Sequence, residues 1–152
     1  MQTLTGTFLD PVNRRSFPGE ITFYSGLIVS VREIDPDDAA TRIIAPGFVE
    51  SHIHVESSML IPSEFARLAV KHGTVATVSD PHEIANVCGM DGVTYMIENG
   101  KKVPLKFYFG APSCVPATPF ETAGAELTPS DVEKLLDRDD ILYLAEMMNW
   151  PG

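Results

Sequence analysis

Residues 45–58 of the chain read APGFVESHIHVESS. This stretch begins with a Pro-Gly break and continues as an apolar, strand-forming segment that carries His52 and His54, two residues apart. Side chains two residues apart on a strand lie on the same face. We therefore predict that the two imidazoles point the same way and can chelate one cation.

Composition limits the classes of protein to which the chain can belong. With 21 acidic and 11 basic residues the formal net charge is −10, which argues against a nucleic-acid or anionic-membrane partner because both need clustered Lys and Arg. No apolar run approaches the roughly 20 residues of a membrane-spanning helix, and residues 1–4 lack the features of a signal peptide. We expect a cytoplasmic globular protein.

The two cysteines, Cys88 and Cys114, are too few and too far apart to form a disulfide scaffold or a thiolate zinc site. We predict that both are reduced and that both are buried as small apolar side chains.

The sequence divides into two regions at Pro46-Gly47. Residues 1–46 carry short strand-like runs separated by turn residues, which predicts a small antiparallel unit with a hairpin at Ser25-Gly26. One further short strand is expected near Ile43. Residues 47–152 form the second predicted domain.

Beyond Gly47 apolar strand-like runs alternate with segments of helical period. Strands are predicted over 48–54, 75–79, 105–109 and 141–146, and helices over 63–71, 93–100 and 128–136. Four strands joined by three helices are typical of an α/β fold with a parallel sheet. The pattern alone leaves two architectures open, an open doubly wound sheet and part of a (β/α)8 barrel.

Polar side chains follow the carboxyl ends of three of these predicted strands, where parallel α/β folds place their sites. They are His52 and His54, then Asp80, His82 and Glu83, and finally Glu146. Imidazoles with a carboxylate suit zinc, iron or manganese, and such a cation polarises the group attacked and acidifies water. Hydrolysis is the expected reaction class, with Asp80, His82 and Glu83 as candidates for proton transfer.

Each of these residues also has an ordinary structural interpretation. The two strand histidines can serve packing alone, Glu146 can be a surface carboxylate, and the Asp80-Pro81 pair is typical of a turn. His72 precedes Gly73 at a predicted helix end, where its charge meets the helix dipole, and we assign it no catalytic role.

Four motifs carry a resemblance to a known family: residues 45–59 (APGFVESHIHVESSM), 80–87 (DPHEIANV), 112–124 (PSCVPATPFETAG) and 145–152 (AEMMNWPG). The chain closely resembles the adenine deaminases of the amidohydrolase superfamily over nearly its whole length. The resemblance implies the first half of a (β/α)8 barrel preceded by strands of a small β-sandwich. It also implies a two-metal site that converts adenine to hypoxanthine and ammonia.

The resemblance assigns roles to the same polar residues. His52 and His54 match the metal ligands of the first barrel strand, and Glu146 matches the carboxylate that bridges the two metals. Asp80, His82 and Glu83 would lie beside the substrate, with His82 and Glu83 in proton transfer or purine contacts. The family takes further histidines from the fifth and sixth strands and an aspartate from the eighth, and these fall outside the 152 residues.

We therefore expect the N-terminal portion of such an enzyme, inactive by itself and prone to self-association through its unpaired sheet edges. Two alternatives stay open at this point. One is another metal-dependent amidohydrolase that acts on a cyclic amide or a different nucleobase. The other is a non-catalytic α/β fragment or interaction module.

Overall fold

The computed structural model describes residues 1–150, so Pro151 and Gly152, the end of the fourth motif, lie outside the described residues. The chain forms two compact units, residues 1–46 and the segment from Gly47 onward. None of the helices within residues 1–150 combines the length and the apolar character needed to cross a membrane.

The first unit is a four-stranded sheet in the order β3-β2-β1-β4. Its strands are β1 (Gln2–Asp10), β2 (Arg15–Tyr24), β3 (Leu27–Glu33) and β4 (Ile43–Ile44). β2 pairs antiparallel with both β1 and β3, whereas β4 runs parallel to β1. Ser25 and Gly26 have φ values of 50° and 79°, which two-residue hairpin turns of type I′ require, so the hairpin prediction is confirmed.

The second unit is a four-stranded parallel sheet in the order β5-β6-β7-β8. In chain order its elements are β5 (Phe48–Ile53), α1 (Pro62–Ala69), β6 (Thr74–Ser79), α2 (His82–Gly100), β7 (Lys106–Ala111), α3 (Pro129–Leu136) and β8 (Ile141–Leu144). Each helix connects two neighbouring parallel strands. The α/β class and the count of four strands and three helices are confirmed.

Local sequence explains where the helices begin and end. Pro62 and Pro129 each occupy the first position of a helix, where a missing N–H costs nothing. Gly73, with φ of 88°, ends the 3₁₀ turn that follows α1. Thr128 and Asp131 form a capping box at the start of α3, because each side chain accepts a hydrogen bond from the other residue's backbone N–H.

The hydrophobic core of the second unit lies between its sheet and its helices. Its buried members are Val55, Ala85, Val93, Met96, Ile97, Phe109, Ala111, Val115, Leu127, Leu135 and Ile141. The residues from α2, β7, α3 and β8 come together here, so this core fixes the sheet edge at which the polar residues lie.

Two details of the sequence prediction are wrong. The helical period places Phe65, Leu68 and Ala69 on one apolar face, which predicts that Leu68 is buried, but Leu68 is 54% exposed because α1 packs through Pro62 and Ala66. Cys88 is exposed rather than buried, since α2 buries Ala85 and Gly89 on its other side. Both cysteines are free thiols, as predicted.

Several element boundaries also differ from the prediction, and two of these differences affect the site residues. α2 starts at His82 and continues to Gly100 with a kink at Gly89, whose φ of 59° and ψ of −145° are not helical. β8 ends at Leu144, so Glu146 lies two residues beyond the strand rather than within it.

Candidate metal centre

The carboxyl ends of β5, β6 and β8 lie at one edge of the parallel sheet, and the cluster forms there. The Asp80 backbone N–H donates to the Ile53 carbonyl at 3.2 Å, which joins the end of β6 to the end of β5. Ligand atoms of His54, Asp80, His82 and Glu146 lie within 4.8 Å of one another.

His52 and His54 point the same way, as alternation along a strand requires. Their Nε2 atoms are 3.1 Å apart. The carboxylate of Glu146 faces both rings, with Oε2 3.3 Å from His52 Nε2 and Oε1 3.5 Å from His54 Nε2. Two imidazoles and one carboxylate therefore converge on one small volume.

A backbone contact at Nδ1 orients the ring of His54. Its Nδ1 lies 3.0 Å from the backbone carbonyl of Asp80, and a carbonyl can only accept, so Nδ1 carries the proton. The Nε2 lone pair is then free to bind a cation, the arrangement found behind most metal-bound histidines. His52 is held less firmly, and its side chain is 58% exposed.

Asp80 is almost fully buried, at 5% exposure, and it connects the other members of the cluster. Oδ1 accepts from the His82 backbone N–H at 3.1 Å, and Oδ2 accepts from the Glu146 backbone N–H at 3.3 Å. The carboxylate thus links the first turn of α2 to the segment that follows β8.

His82 lies between two carboxylates. Its Nδ1 is 3.1 Å from Asp80 Oδ2 and 3.7 Å from Glu146 Oε1. The close approach to Asp80 lacks the alignment of a hydrogen bond, so this buried nitrogen has no hydrogen-bond partner within the described residues. The close side-chain contact with Asp80, together with its negative charge, raises the pKa of His82 above its ordinary value and outweighs the opposing effect of burial.

Glu83 lies outside the cluster of four. Its Oε2 accepts a hydrogen bond from Ser57 Oγ at 2.5 Å. Ser57 belongs to a 3₁₀ turn, Val55–Ser58, that directly follows the histidine-bearing strand. Of the six site residues predicted from the sequence, five lie close together. Glu83 lies beside this cluster and contacts Ser57 instead.

Glu56 was missed by sequence reasoning. Its Oε1 accepts from the Ile84 backbone N–H at 3.2 Å, whereas Oε2 is buried without a hydrogen-bond partner in residues 1–150. Burial raises the pKa of this carboxyl above its ordinary value. The sequence feature that could have identified Glu56 is its position two residues after His54, in the turn that follows the strand bearing the histidines.

Comparison with known proteins gives the chain a family. The model of the amidohydrolase family matches residues 43–151. Adenine deaminases from Methanosarcina barkeri, Salinibacter ruber and Sulfurovum sp. are 56%, 56% and 57% identical to the chain over 152, 151 and 150 residues. The aligned residues make up 27–28% of those relatives, so the chain spans about a quarter of their length.

One solved structure shows the architecture. The crystal structure of atrazine chlorohydrolase TrzN from Arthrobacter aurescens TC1, complexed with zinc, matches 91% of this chain and 43% of that chain. The TM-score is 0.61 at 15% sequence identity, a likeness of fold alone. The four parallel strands and their helices are the first half of a (β/α)8 barrel, which decides between the two architectures left open by the sequence pattern. The chain belongs to the amidohydrolase family.

Proposed function

We propose that this chain provides the first half of the metal-dependent active site of an adenine deaminase. The observation that carries the proposal is the convergence of His52, His54 and Glu146, whose nitrogen and oxygen atoms approach within 3.3–3.5 Å across two strand ends. The names of the relatives, which are adenine deaminases at 50–57% identity, support adenine as substrate.

The residues fit a divalent cation such as manganese, iron or zinc. Two imidazole nitrogens and a carboxylate form a donor set that suits these ions, and the ring of His54 already presents an unprotonated Nε2. The two oxygens of Glu146 face different histidines, so His52, His54 and Glu146 would hold the cation together. When bound, the cation supplies Lewis-acid chemistry and lowers the pKa of water.

The protein's own side chains handle the protons. Hydrolysis forms a carbon–oxygen bond at the ring carbon and breaks the bond to the amino group. One proton of water ends on the leaving nitrogen, as ammonia, and the other ends on the ring nitrogen beside the new carbonyl. His82, whose pKa is raised by its contact with Asp80, donates to the leaving nitrogen, and Glu83, oriented by Ser57, carries the second proton.

Further expectations belong to the same proposal. Residues 1–46 are strands of the β-sandwich that precedes the barrel, and residues 47–152 are the partial barrel domain. The 152 residues alone have no turnover, because only part of the family's ligand set lies among them. Self-association and a cytoplasmic location also remain predictions.

Metal affinity tests the proposal on the chain itself. Metal-free protein is titrated with Zn²⁺ or Mn²⁺, and bound metal is measured by calorimetry and elemental analysis. His54→Ala is expected to weaken binding by more than about 100-fold, because removing a partner that only supports a ligand already costs about 10–100-fold. His72→Ala is the matched control, a histidine replaced outside the cluster, and should bind as the unmodified chain does.

Two results would contradict the proposal. One is a folded, unmodified chain that binds neither ion. The other is equal affinity in His54→Ala and His72→Ala, which would mean that the bound metal sits elsewhere.

A further inference from the structure

A second group of ligand-type side chains lies where β7 and β8 end side by side. Ser113 and Cys114 belong to the loop that follows β7, and Met147 belongs to the segment that follows β8. Cys114 Sγ lies 3.4 Å from Met147 Sδ. Ser113 Oγ lies 3.4 Å from the Cys114 sulfur and 3.9 Å from the Met147 sulfur. A thiol, a thioether and a hydroxyl therefore form a compact triangle.

The size of this triangle suits one bound cation. A point equidistant from three atoms with these separations lies about 2.1 Å from each, close to the roughly 2.3 Å of a zinc–thiolate bond. The S–H group of Cys114 is directed at Met147 Sδ. A cation that replaces this proton therefore lies between the two sulfur atoms.

The hydroxyl of Ser113 is oriented by the segment after β8. Its shortest contact is with the backbone carbonyl of Glu146, at 2.6 Å, and a carbonyl can only accept. The single hydroxyl proton is thus directed at Glu146, which leaves the two lone pairs of Ser113 Oγ available for a cation. The same hydrogen bond fixes the loop after β7 against the segment that carries Met147.

The triangle can be reached by a dissolved ion. Cys114 is half-buried, and Met147 is 50% exposed. Both residues, with Ser113, line a cavity of about 660 Å³ between the loop after β7, α3 and the segment after β8. A cation therefore has a path to the two sulfur atoms that does not pass the histidines.

We propose that Ser113, Cys114 and Met147 form a second metal site, which binds one soft monovalent cation of the type of Cu⁺. Thiolate and thioether sulfur are the ligands that favour Cu⁺, and three donors leave zinc short of the four that it usually takes. Binding forms the metal–sulfur bond and releases the thiol proton to solvent, without any change of oxidation state. The site shares no ligand with the histidine centre and goes beyond the proposed function.

Anaerobic titration of the chain with Cu⁺, in competition with a chromogenic Cu⁺ chelator, tests the site. The unmodified chain should take Cu⁺ from the chelator, and X-ray absorption should show two sulfur neighbours around the bound ion. Removing a partner that only supports a metal ligand costs about 10–100-fold in affinity. We therefore expect a loss of more than about 100-fold in Cys114→Ser and of at least about tenfold in Met147→Leu, which should retain a single sulfur neighbour.

Two controls remove the same chemical groups elsewhere. Cys88→Ala removes the other thiol, which is exposed, and Met59→Leu removes a thioether that is 94% exposed. Both variants should bind Cu⁺ as the unmodified chain does.

His54→Ala separates the two sites, because it should lose Mn²⁺ and keep the sulfur-bound Cu⁺, whereas Cys114→Ser should do the reverse. The second site is overturned by a folded chain without sulfur-bound Cu⁺, by unchanged Cu⁺ affinity in Met147→Leu, or by a loss in Cys88→Ala as large as that in Cys114→Ser. If Cys114→Ser does not fold, Met147→Leu decides. None of these results alters the Mn²⁺ affinity on which the proposed function depends.

Discussion

At the scale of single residues, Asp80 organises the cluster. Its two oxygens accept from the backbone N–H groups of His82 and Glu146, and its carbonyl fixes the tautomer of His54. One buried residue, through its carboxylate and its backbone carbonyl, thereby determines the positions of three neighbours that come from three different strand ends. The cost of burying its charge is offset by these hydrogen bonds.

The hydroxyl of Tyr143 is a second single group whose environment affects stability, and this effect depends on pH. This hydroxyl donates to the Ser79 carbonyl at 2.8 Å, and burial with the nearby negative charge of Asp80 raises the pKa of the phenol to about 12. Because the folded-state pKa is above the unfolded value, this contribution to stability is full below pH 10 and is lost as pH rises through 12. The free energy of unfolding should fall by about 1 kcal/mol across this interval, less than the full pKa shift would give, because solvent screens the half-buried phenol.

Urea unfolding curves recorded from pH 8 to pH 12 measure this loss. Tyr143→Phe should lower stability by about 1 kcal/mol at pH 8, the usual value of a hydrogen bond, and should flatten the alkaline part of the curve. Tyr95→Phe is the control, since Tyr95 is half-exposed on α2. An alkaline decline of the same size in Tyr143→Phe would show that another group causes it.

At the scale of elements, the 3₁₀ turn Val55–Ser58 and the first turn of α2 hold each other. Ser57 donates to the Glu83 carboxylate, and Glu56 accepts from the Ile84 backbone N–H. The turn follows the histidine-bearing strand directly, so these contacts couple the position of His54 to that of His82. A carboxylate near a helix N-terminus is also favoured by the helix dipole.

Elements with strong local signals could be predicted from the sequence. The proline at the start of α3, its capping box and the Ser25-Gly26 turn depend on neighbouring residues only. The placement of His52 and His54 on one face could also be predicted, because side chains two residues apart on an extended segment point the same way.

What could not be predicted depends on contacts between distant residues. Glu56 and Ile84 are 28 positions apart, and no local pattern pairs them. The outward orientation of Leu68 follows from the face on which α1 packs, which its own sequence leaves undecided. The backbone carbonyl of Asn86 accepts hydrogen bonds from a loop nearly 40 residues further along the chain, which no local pattern indicates.

At the scale of the whole molecule, the parallel sheet has apolar side chains at both of its edges. Phe48 on β5 is 66% exposed and Leu142 on β8 is 67% exposed. Unpaired strand edges with exposed apolar residues favour pairing with another chain. We therefore predict that the 152-residue polypeptide forms dimers or larger assemblies at micromolar concentration.

Sedimentation velocity over a dilution series checks this prediction. Val49→Lys places a charge on the β5 edge and should shift the population toward monomer. Val12→Lys introduces the same charge in the exposed turn of the first unit and should not. A polypeptide that is monomeric at all concentrations would contradict the prediction.

The central claim is that His52, His54 and Glu146 form the first half of a deaminase metal site. The most direct measurement uses a chimera in which this chain replaces the matching segment of the Methanosarcina barkeri adenine deaminase, to which it is 56% identical. Conversion of adenine to hypoxanthine is followed by absorbance. We predict turnover by the chimera, none by the 152 residues alone, and a loss of more than about 100-fold in the chimera with His54→Ala but not with His72→Ala. A folded chimera without turnover, or one in which His54→Ala is as active as its parent, would contradict the claim.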